Sequence, residues 1–165
     1  MVNTVSIRPA TAADMDTVAT LFREYAASLN VDLTYQGFEA ELAALPGAYA
    51  PPSGALLLAR DSTNTPLGCV AIRVLHESGA CEMKRLHLRS TARGMGIGRA
   101  LAMAAIEAAR QAGYQAMRLD TLPTMEVAQA LYRSLGFETT PPYYNTPVAG
   151  TIFMRKMLVE SQSAI

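Results

Sequence analysis

The sequence predicts an α+β fold, with a mixed, mostly antiparallel sheet of about six to seven strands and helices on both of its faces. Three apolar segments between residues 55 and 88 are separated by turn-forming residues, which indicates consecutive antiparallel strands. A glycine-rich junction then leads into a long alanine-rich helix and a further strand. This strand–helix–strand unit places two parallel strands in the middle of the sheet.

The N-terminal part is predicted to contain one strand and two helices. Val5–Pro9 alternates apolar and polar residues, as a half-buried strand does. Thr11 and Asp14 have the spacing of a capping box, and the apolar stripe of the helix that follows ends at Leu29. A second, short helix is predicted over Tyr35–Leu45, because a Pro-Gly pair follows it.

The rest of the chain continues this pattern without a linker or an internal repeat. We therefore expect residues 1–165 to form a single domain, which is an ordinary domain size. The predicted strands are Ala55–Ala59, Gly68–Leu75, Ala80–Leu88, Met117–Thr121, Phe137–Thr139 and Thr151–Leu158, and the predicted helices are Gly96–Ala112 and Met125–Leu135.

Composition and charge exclude several classes of partner. The formal net charge is zero, with 14 basic and 14 acidic residues, so neither nucleic acid nor a membrane surface is expected as a partner. The first residues lack a basic region followed by an apolar run, and no segment is long enough to span a membrane. With two histidines and two cysteines in no ligand spacing, no metal site is expected. The sequence predicts a cytoplasmic protein.

The glycine-rich segment Arg93–Arg99 predicts an anion site. Its three alternating glycines let the backbone approach a ligand, and the first N–H groups of the following helix have no partner inside the helix. The spacing does not match a P-loop, and the third glycine of a dinucleotide-binding loop is replaced here by Arg99. The anion is therefore expected to be a phosphate held in a different kind of loop.

Three motifs resemble those of the GNAT-type N-acetyltransferase superfamily. Arg93-x-x-Gly96-x-Gly98 resembles its acyl-CoA signature, and Leu131-Tyr132-x-x-x-Gly136-Phe137 resembles the end of its last helix. The segment Glu82–Leu88 is similar to its central strand. The resemblance implies a three-layer αβα fold with a splayed central pair of parallel strands, and acetyl-CoA as co-substrate.

The resemblance also implies which residues bind the cofactor. The pantetheine arm would pair with the backbone of the central strand, and the loop would hold the pyrophosphate. The family often has an asparagine seven residues before the helix tyrosine, where this chain has Met125. The implied cofactor residues are Leu86, His87, Leu88, Arg93, Gly94, Met95, Gly96, Ile97, Gly98, Arg99 and Tyr132.

Two residues are expected to carry the chemistry. Tyr132 matches the family's helix tyrosine and would protonate the departing CoA thiolate, since a phenol can donate a proton. Glu82, at the start of the central strand, is the candidate base that takes the proton of the amine. By alternation Glu82 shares a face with Lys84, Leu86 and Leu88, whereas His87, an alternative base, lies on the other face.

The acceptor is left open by the sequence. It is a primary amine of a small molecule or of a protein or peptide, and a homodimer is compatible with the resemblance. A non-catalytic acyl-CoA-binding module or sensor of the same fold is the alternative function, and a nucleotide-binding domain is a third. The candidate residues of the acceptor site are Tyr25, Arg73, Tyr143 and Tyr144.

Overall fold

The computed structural model describes residues 4–159, apart from the side chain of Tyr35, and contains one seven-stranded sheet. The strands are β1 (Ser6–Pro9), β2 (Ala55–Arg60), β3 (Pro66–Val74), β4 (Ala80–Leu88), β5 (Ala116–Thr121), β6 (Glu138–Thr140) and β7 (Ile152–Met157). The helices are α1 (Met15–Leu29), α2 (Phe38–Ala43), α3 (Ile97–Gln111) and α4 (Glu126–Ser134).

The sheet has one parallel pair in its centre, as the sequence predicts. Its order is β1-β2-β3-β4-β5-β7-β6, and every neighbouring pair is antiparallel except β4 and β5. The parallel pairing runs only from Ala80 opposite Ala116 to Glu82 opposite Arg118. Beyond that point the two strands diverge, and the second half of β4 has a free edge facing the gap. The predicted splayed pair is thus confirmed.

A β-bulge in β4 changes which residues face each layer. Cys69 lies opposite His87 while Ala71 lies opposite Lys84, so β4 has one more residue than β3 across this interval. The extra residue is accommodated at Arg85, whose φ is +61°. A bulge resets the two-residue alternation, because the side chains after it point to the opposite face from the one that simple counting gives.

The bulge overturns the predicted faces of β4. Leu86 and Leu88 pack against the core on the α3 side of the sheet, as Met83 does before the bulge. His87 packs beside α1, on the face to which Glu82 belongs. The prediction that Glu82 shares a face with Leu86 and Leu88 is therefore wrong, and so is the placement of His87 on the opposite face.

Two hydrophobic layers cover the sheet, which confirms helices on both faces. One contains the buried stripe of α1, with Val18 and Phe22, and Phe38 of α2. The other contains Leu101 of α3 and Tyr132 of α4. Burying apolar surface on both sides is what makes a central strand such as β4 inaccessible except at its splayed end.

Element boundaries differ from the predicted ones by a few residues, most of all at the first two helices. The capping box of Thr11 and Asp14 is present, but it closes a 3-10 turn, so α1 itself begins at Met15. Gly37, with φ +69°, separates a 3-10 turn at 34–36 from α2, which is therefore shorter than predicted. Across residues 4–159, none of the helices has the length and apolar character needed to cross a bilayer.

Candidate active site

The glycine-rich loop forms the N-terminal end of α3. Gly94 and Gly96 have φ values of +78° and +75°, which residues with a Cβ rarely adopt, and Gly96 is the N-cap of the helix. The first hydrogen bond of the helix runs from Ala100 N–H to the Gly96 carbonyl. The N–H groups of the first turn are thus left for a ligand, and together with the helix dipole they favour an anion.

Two different constraints fix the rest of the loop. A Cβ on Gly98 would lie 3.2 Å from Leu88 Cδ1, so this glycine allows α3 to pack against the end of β4. Ile97 is buried in the core, whereas Met95 is 53% exposed. At both positions it is the backbone, and not a polar side chain, that can bind an anion.

The arginines at the two ends of the loop are exposed. Arg99 Nη1 donates to Ser134 Oγ at 2.9 Å, which links the start of α3 to the end of α4. Arg93 lies at the mouth of a cleft and lines it together with Gly94. Their guanidinium groups add positive charge to the anion site that the backbone forms.

A cleft of about 810 Å³ leads from this loop toward the gap between β4 and β5. One wall is the free half of β4 with the loop, and the other is the start of α4. Its lining residues include Leu86, His87, Leu88, Arg93, Gly94 and Gly98 on the first wall, and Met125, Val127 and Leu131 on the second. The cleft therefore has an anion site at one end and largely apolar walls along its length.

The cleft continues into an inner chamber that lies in the gap itself. Both share the lining residues Tyr25, Leu29, Leu86 and Met125. The chamber is also lined by Tyr132, which is 7% exposed and packs edge-to-face on Phe137 with ring centroids 5.8 Å apart. Burial raises the pKa of the Tyr132 hydroxyl above its ordinary value of about 10, so this phenol is protonated at neutral pH.

Glu82 is 1% exposed and both of its carboxylate oxygens are engaged. Arg73 Nε donates to Oε1 at 2.8 Å, and the hydroxyl of Tyr143 donates to Oε2. Glu82 is not among the residues that line the inner chamber. Its hydrogen-bond partner Tyr143 does not line the chamber either, so proton exchange between Glu82 and a ligand there needs an intervening group.

The tyrosines of the last loop lie beside the two central strands. Tyr143, Tyr144 and Phe153 form an edge-to-face cluster with centroids 5.2 to 5.4 Å apart. The Tyr143 hydroxyl bonds to Glu82 of β4, and the Tyr144 hydroxyl bonds to Asp120 of β5. Through these two bonds the loop forms a wall next to the gap.

Tyr25 and His87 are the groups of α1 and β4 that meet beside the cleft. Their rings pack edge-to-face with centroids 6.3 Å apart, and the guanidinium of Arg85 lies 5.7 Å from the Tyr25 centroid. Burial lowers the pKa of His87, and its Nε2 lies 3.3 Å from Glu24 Oε1. The imidazole lines the cleft but not the inner chamber.

The chamber also contains polar residues that the sequence did not single out as site residues, chiefly Lys84 and Asp120. Lys84 is 8% exposed, its Nζ donates to Gln36 Oε1 at 3.3 Å, and burial lowers its pKa to about 8. Both residues lie where the central strands separate. The predicted splay of these strands is the feature of the sequence from which their place in the site could have been inferred.

Comparisons with known proteins agree with this geometry. The sequence pattern of the acetyltransferase (GNAT) family matches residues 18–137. An uncharacterized N-acetyltransferase of Schizosaccharomyces pombe is 43% identical over 142 residues, which cover 86% of this chain and 87% of that protein.

Solved structures show the same fold. An acetyltransferase of the GNAT family from Staphylococcus aureus has a TM-score of 0.79 at 16% identity, covering 94% of this chain and all (100%) of that one. The PaiA N-acetyltransferase of Thermoplasma acidophilum, solved in complex with coenzyme A, has a TM-score of 0.72 at 18% identity, covering 93% and 99%. The chain therefore belongs to the acetyltransferase (GNAT) family and is an acyl-CoA-dependent N-acyltransferase.

Proposed function

We propose that this protein transfers an acetyl group from acetyl-CoA to a primary amine by direct attack in a ternary complex. The observation that carries the proposal is a pair of adjoining cavities, a cleft that begins at the anion site at the start of α3 and a chamber that Tyr132 lines, with four lining residues in common. A long cofactor with phosphates at one end and a thioester at the other matches this pair of cavities in its chemistry.

The cofactor is expected to bind mainly through backbone groups. The N–H groups from Gly94 to Arg99 hold the pyrophosphate, with Arg93 and Arg99 adding charge. The pantetheine arm lies along Leu86–Leu88, where β4 has no partner in β5 and its edge is free to form hydrogen bonds. The coenzyme A in the Thermoplasma relative of the same fold supports this choice of cofactor.

In the transfer the amine has to lose a proton and the departing thiolate has to gain one. The neutral amine attacks the thioester carbonyl, a C–N bond forms, and the C–S bond breaks. Tyr132 donates its proton to the departing thiolate, since the phenol is protonated before the reaction. The buried phenol also stabilises the developing negative charge by hydrogen bonding.

Glu82 is the proposed base, acting through the hydroxyl of Tyr143 and a water between that hydroxyl and the amine. We expect Glu82→Gln to lower kcat by roughly 100-fold, at the lower end of what a general base contributes. Tyr143→Phe removes the relay while leaving the carboxylate in place, so it is expected to lower kcat by a similar factor. Steady-state kinetics of both variants over a pH series provide the measurement, with thermal unfolding as the control for folding.

A purely structural Glu82 would give a different pattern. In that case Glu82→Gln would lower the melting temperature, and Tyr143→Phe would leave the pH profile of kcat as it is. That pair of results contradicts the proposed base.

Thermal shift and thiol release together test the proposed function. A ligand that binds the folded state at 100 times its Kd stabilises it by about 2.7 kcal/mol, so coenzyme A and acetyl-CoA should raise the melting temperature while NAD and ATP do not. Acetyl-CoA should then release free thiol with some member of a primary-amine panel. Binding without turnover over the panel would favour the non-catalytic alternative, and no shift with coenzyme A would contradict the cofactor site.

Gly96→Asp tests the position of the pyrophosphate. We expect the affinity for coenzyme A to fall about tenfold or more, because a carboxylate at the N-cap of α3 meets the phosphates. Gly96→Asn is the matched control, since asparagine has nearly the same size and both residues tolerate a positive φ. Isothermal titration of both variants gives the comparison, and equal affinities would contradict the loop placement.

A further inference from the structure

We propose that the acceptor amine also carries a carboxylate, as an amino acid does, and that Lys84 binds this carboxylate. The inference rests on the acetyl transfer proposed above and names its class of acceptor. Its starting point is the position of Lys84, a nearly buried lysine that lines the same chamber as Tyr132. Because the proposed reaction takes place beside Tyr132, a residue that lines this chamber can contact the acceptor close to its reacting amine.

Lys84 lacks the partners that a buried ammonium requires. An ammonium group has three donors, but among the side chains that the structure describes Nζ makes a single, long hydrogen bond, to the neutral amide oxygen of Gln36. Within the described part of the chain, Lys84 forms no ion pair. Burying a charge without an opposite charge is unfavourable, and burial accordingly lowers the pKa of Lys84 to about 8.

The nearby carboxylates are held by other groups. Glu82 is bound by Arg73 and Tyr143, and Asp120 accepts a hydrogen bond from Tyr144. Among the described residues neither carboxylate forms an ion pair with Lys84, although both favour its charged form at longer range. An anion that neutralises Lys84 therefore has to come with the ligand.

A second polar group of the chamber also lacks a partner. The Thr121 hydroxyl is buried and makes no hydrogen bond among residues 4–159. Thr121 and Asp120 both line the chamber from β5, on the far side of the gap from Lys84. A ligand with a carboxylate and an amine would meet a cation from one strand and an anion from the other, and its oxygens could accept from hydroxyl and ammonium groups alike.

The charged and titratable groups around Lys84 come from five of the elements packed about it. They are Arg73 of β3, Glu82 and Arg85 of β4, Asp120 of β5, and the chamber tyrosines Tyr25 and Tyr132. Arg85 has its own partner in Glu41. Lys84 is thus the chamber cation that a ligand anion is best placed to neutralise.

Matched acceptors test the proposal. Each of the common amino acids is compared with its α-carboxamide, which keeps the amine and removes the negative charge, and thiol release from acetyl-CoA is followed. For the best acceptor we expect kcat/KM for the acid to exceed that for the carboxamide by roughly 100-fold, the size expected for losing one partner of a buried charge pair. Lys84→Met should bring this ratio close to one, while Lys156→Met, at the chain's other lysine on β7, should keep the wild-type ratio.

A binding measurement tests Lys84 independently of turnover. The probe is the carboxylic acid that lacks the amine of the best acceptor, or propionate if no amino acid reacts, titrated at pH 8.5 in two buffers of different ionisation enthalpy. With a pKa of about 8, Lys84 is partly neutral at this pH, and a bound carboxylate raises that pKa, so binding should take up protons. Lys84→Met should show no uptake.

The outcomes separate the two proposals. Carboxamides or simple alkylamines that react as well as the acids, or an unchanged ratio in Lys84→Met, would overturn the carboxylate-bearing acceptor while leaving acetyl transfer intact. Absence of thiol release with every amine would instead overturn the proposed function. If no amine releases thiol, the titration still tests whether Lys84 binds a carboxylate. Absence of proton uptake would then overturn carboxylate binding by Lys84 as well.

Discussion

Tyr132→Phe is expected to lower kcat by about 100- to 10,000-fold while the KM for acetyl-CoA changes little. The range is that of a general acid removed from a transition state, and the hydroxyl is the only group that the substitution deletes. The ring keeps its place against Phe137 and its position in the chamber wall, so binding of the cofactor should persist. Initial rates with a saturating amine, measured by thiol release, give kcat directly.

Phe137→Leu is the matched control for packing. It disturbs the same edge-to-face contact from its other side without touching the hydroxyl. We expect it to lower the melting temperature and to change kcat far less than Tyr132→Phe does. A Tyr132→Phe enzyme with full activity would show that the thiolate leaves without help from this phenol.

Arg85→Met is expected to lower the free energy of unfolding by about 3–5 kcal/mol, the cost of leaving one member of a buried ion pair alone. Two guanidinium nitrogens of Arg85 donate to Glu41 at 2.9 and 3.0 Å, and the two side chains are only 2% and 14% exposed. The guanidinium also lies 5.3 Å from the ring centroid of Phe38. Such a loss is a large part of the 5–15 kcal/mol that stabilises a typical domain.

The double variant Arg85→Met/Glu41→Leu isolates the charge effect. It removes both charges together, and we expect it to recover much of the stability lost in the single variant. Arg99→Met, at an exposed arginine, should change the unfolding free energy by less than about 0.5 kcal/mol. Chemical denaturation of the three variants is the measurement, and a fully stable Arg85→Met would contradict the role given to this ion pair.

Local sequence patterns predicted the fold well because each of them depends only on residues that are close together in the chain. The turn formers between β2 and β3, and the glycines at the start of α3, act over a few positions and specify a hairpin and a helix end. The same glycines, together with Tyr132, carried the family motifs. The fold class, the splayed parallel pair and the family were therefore predicted from sequence and are confirmed.

The faces of β4 and the polar chamber could not be predicted in the same way. The bulge depends on Arg85 adopting a positive φ, and its guanidinium contacts Glu41, which lies 44 residues earlier in the chain. Lys84 contacts Gln36, which lies 48 residues earlier in the chain, and nothing adjacent to Lys84 in sequence indicates that contact. Predicting side-chain faces from two-residue alternation assumes a regular strand, so the predicted faces are wrong beyond an inserted residue.

The bulge divides β4 between two ligands. Residues before it, Glu82 and Lys84, face the layer where the amine is proposed to bind, and Leu86 and Leu88 after it face the layer of α3 and the cofactor loop. A single inserted residue thus turns the side chains of one strand toward two different layers. If the proposed sites are correct, substitutions at Glu82 and Lys84 would change acceptor specificity more than cofactor binding, so a new specificity could evolve without rebuilding the cofactor loop.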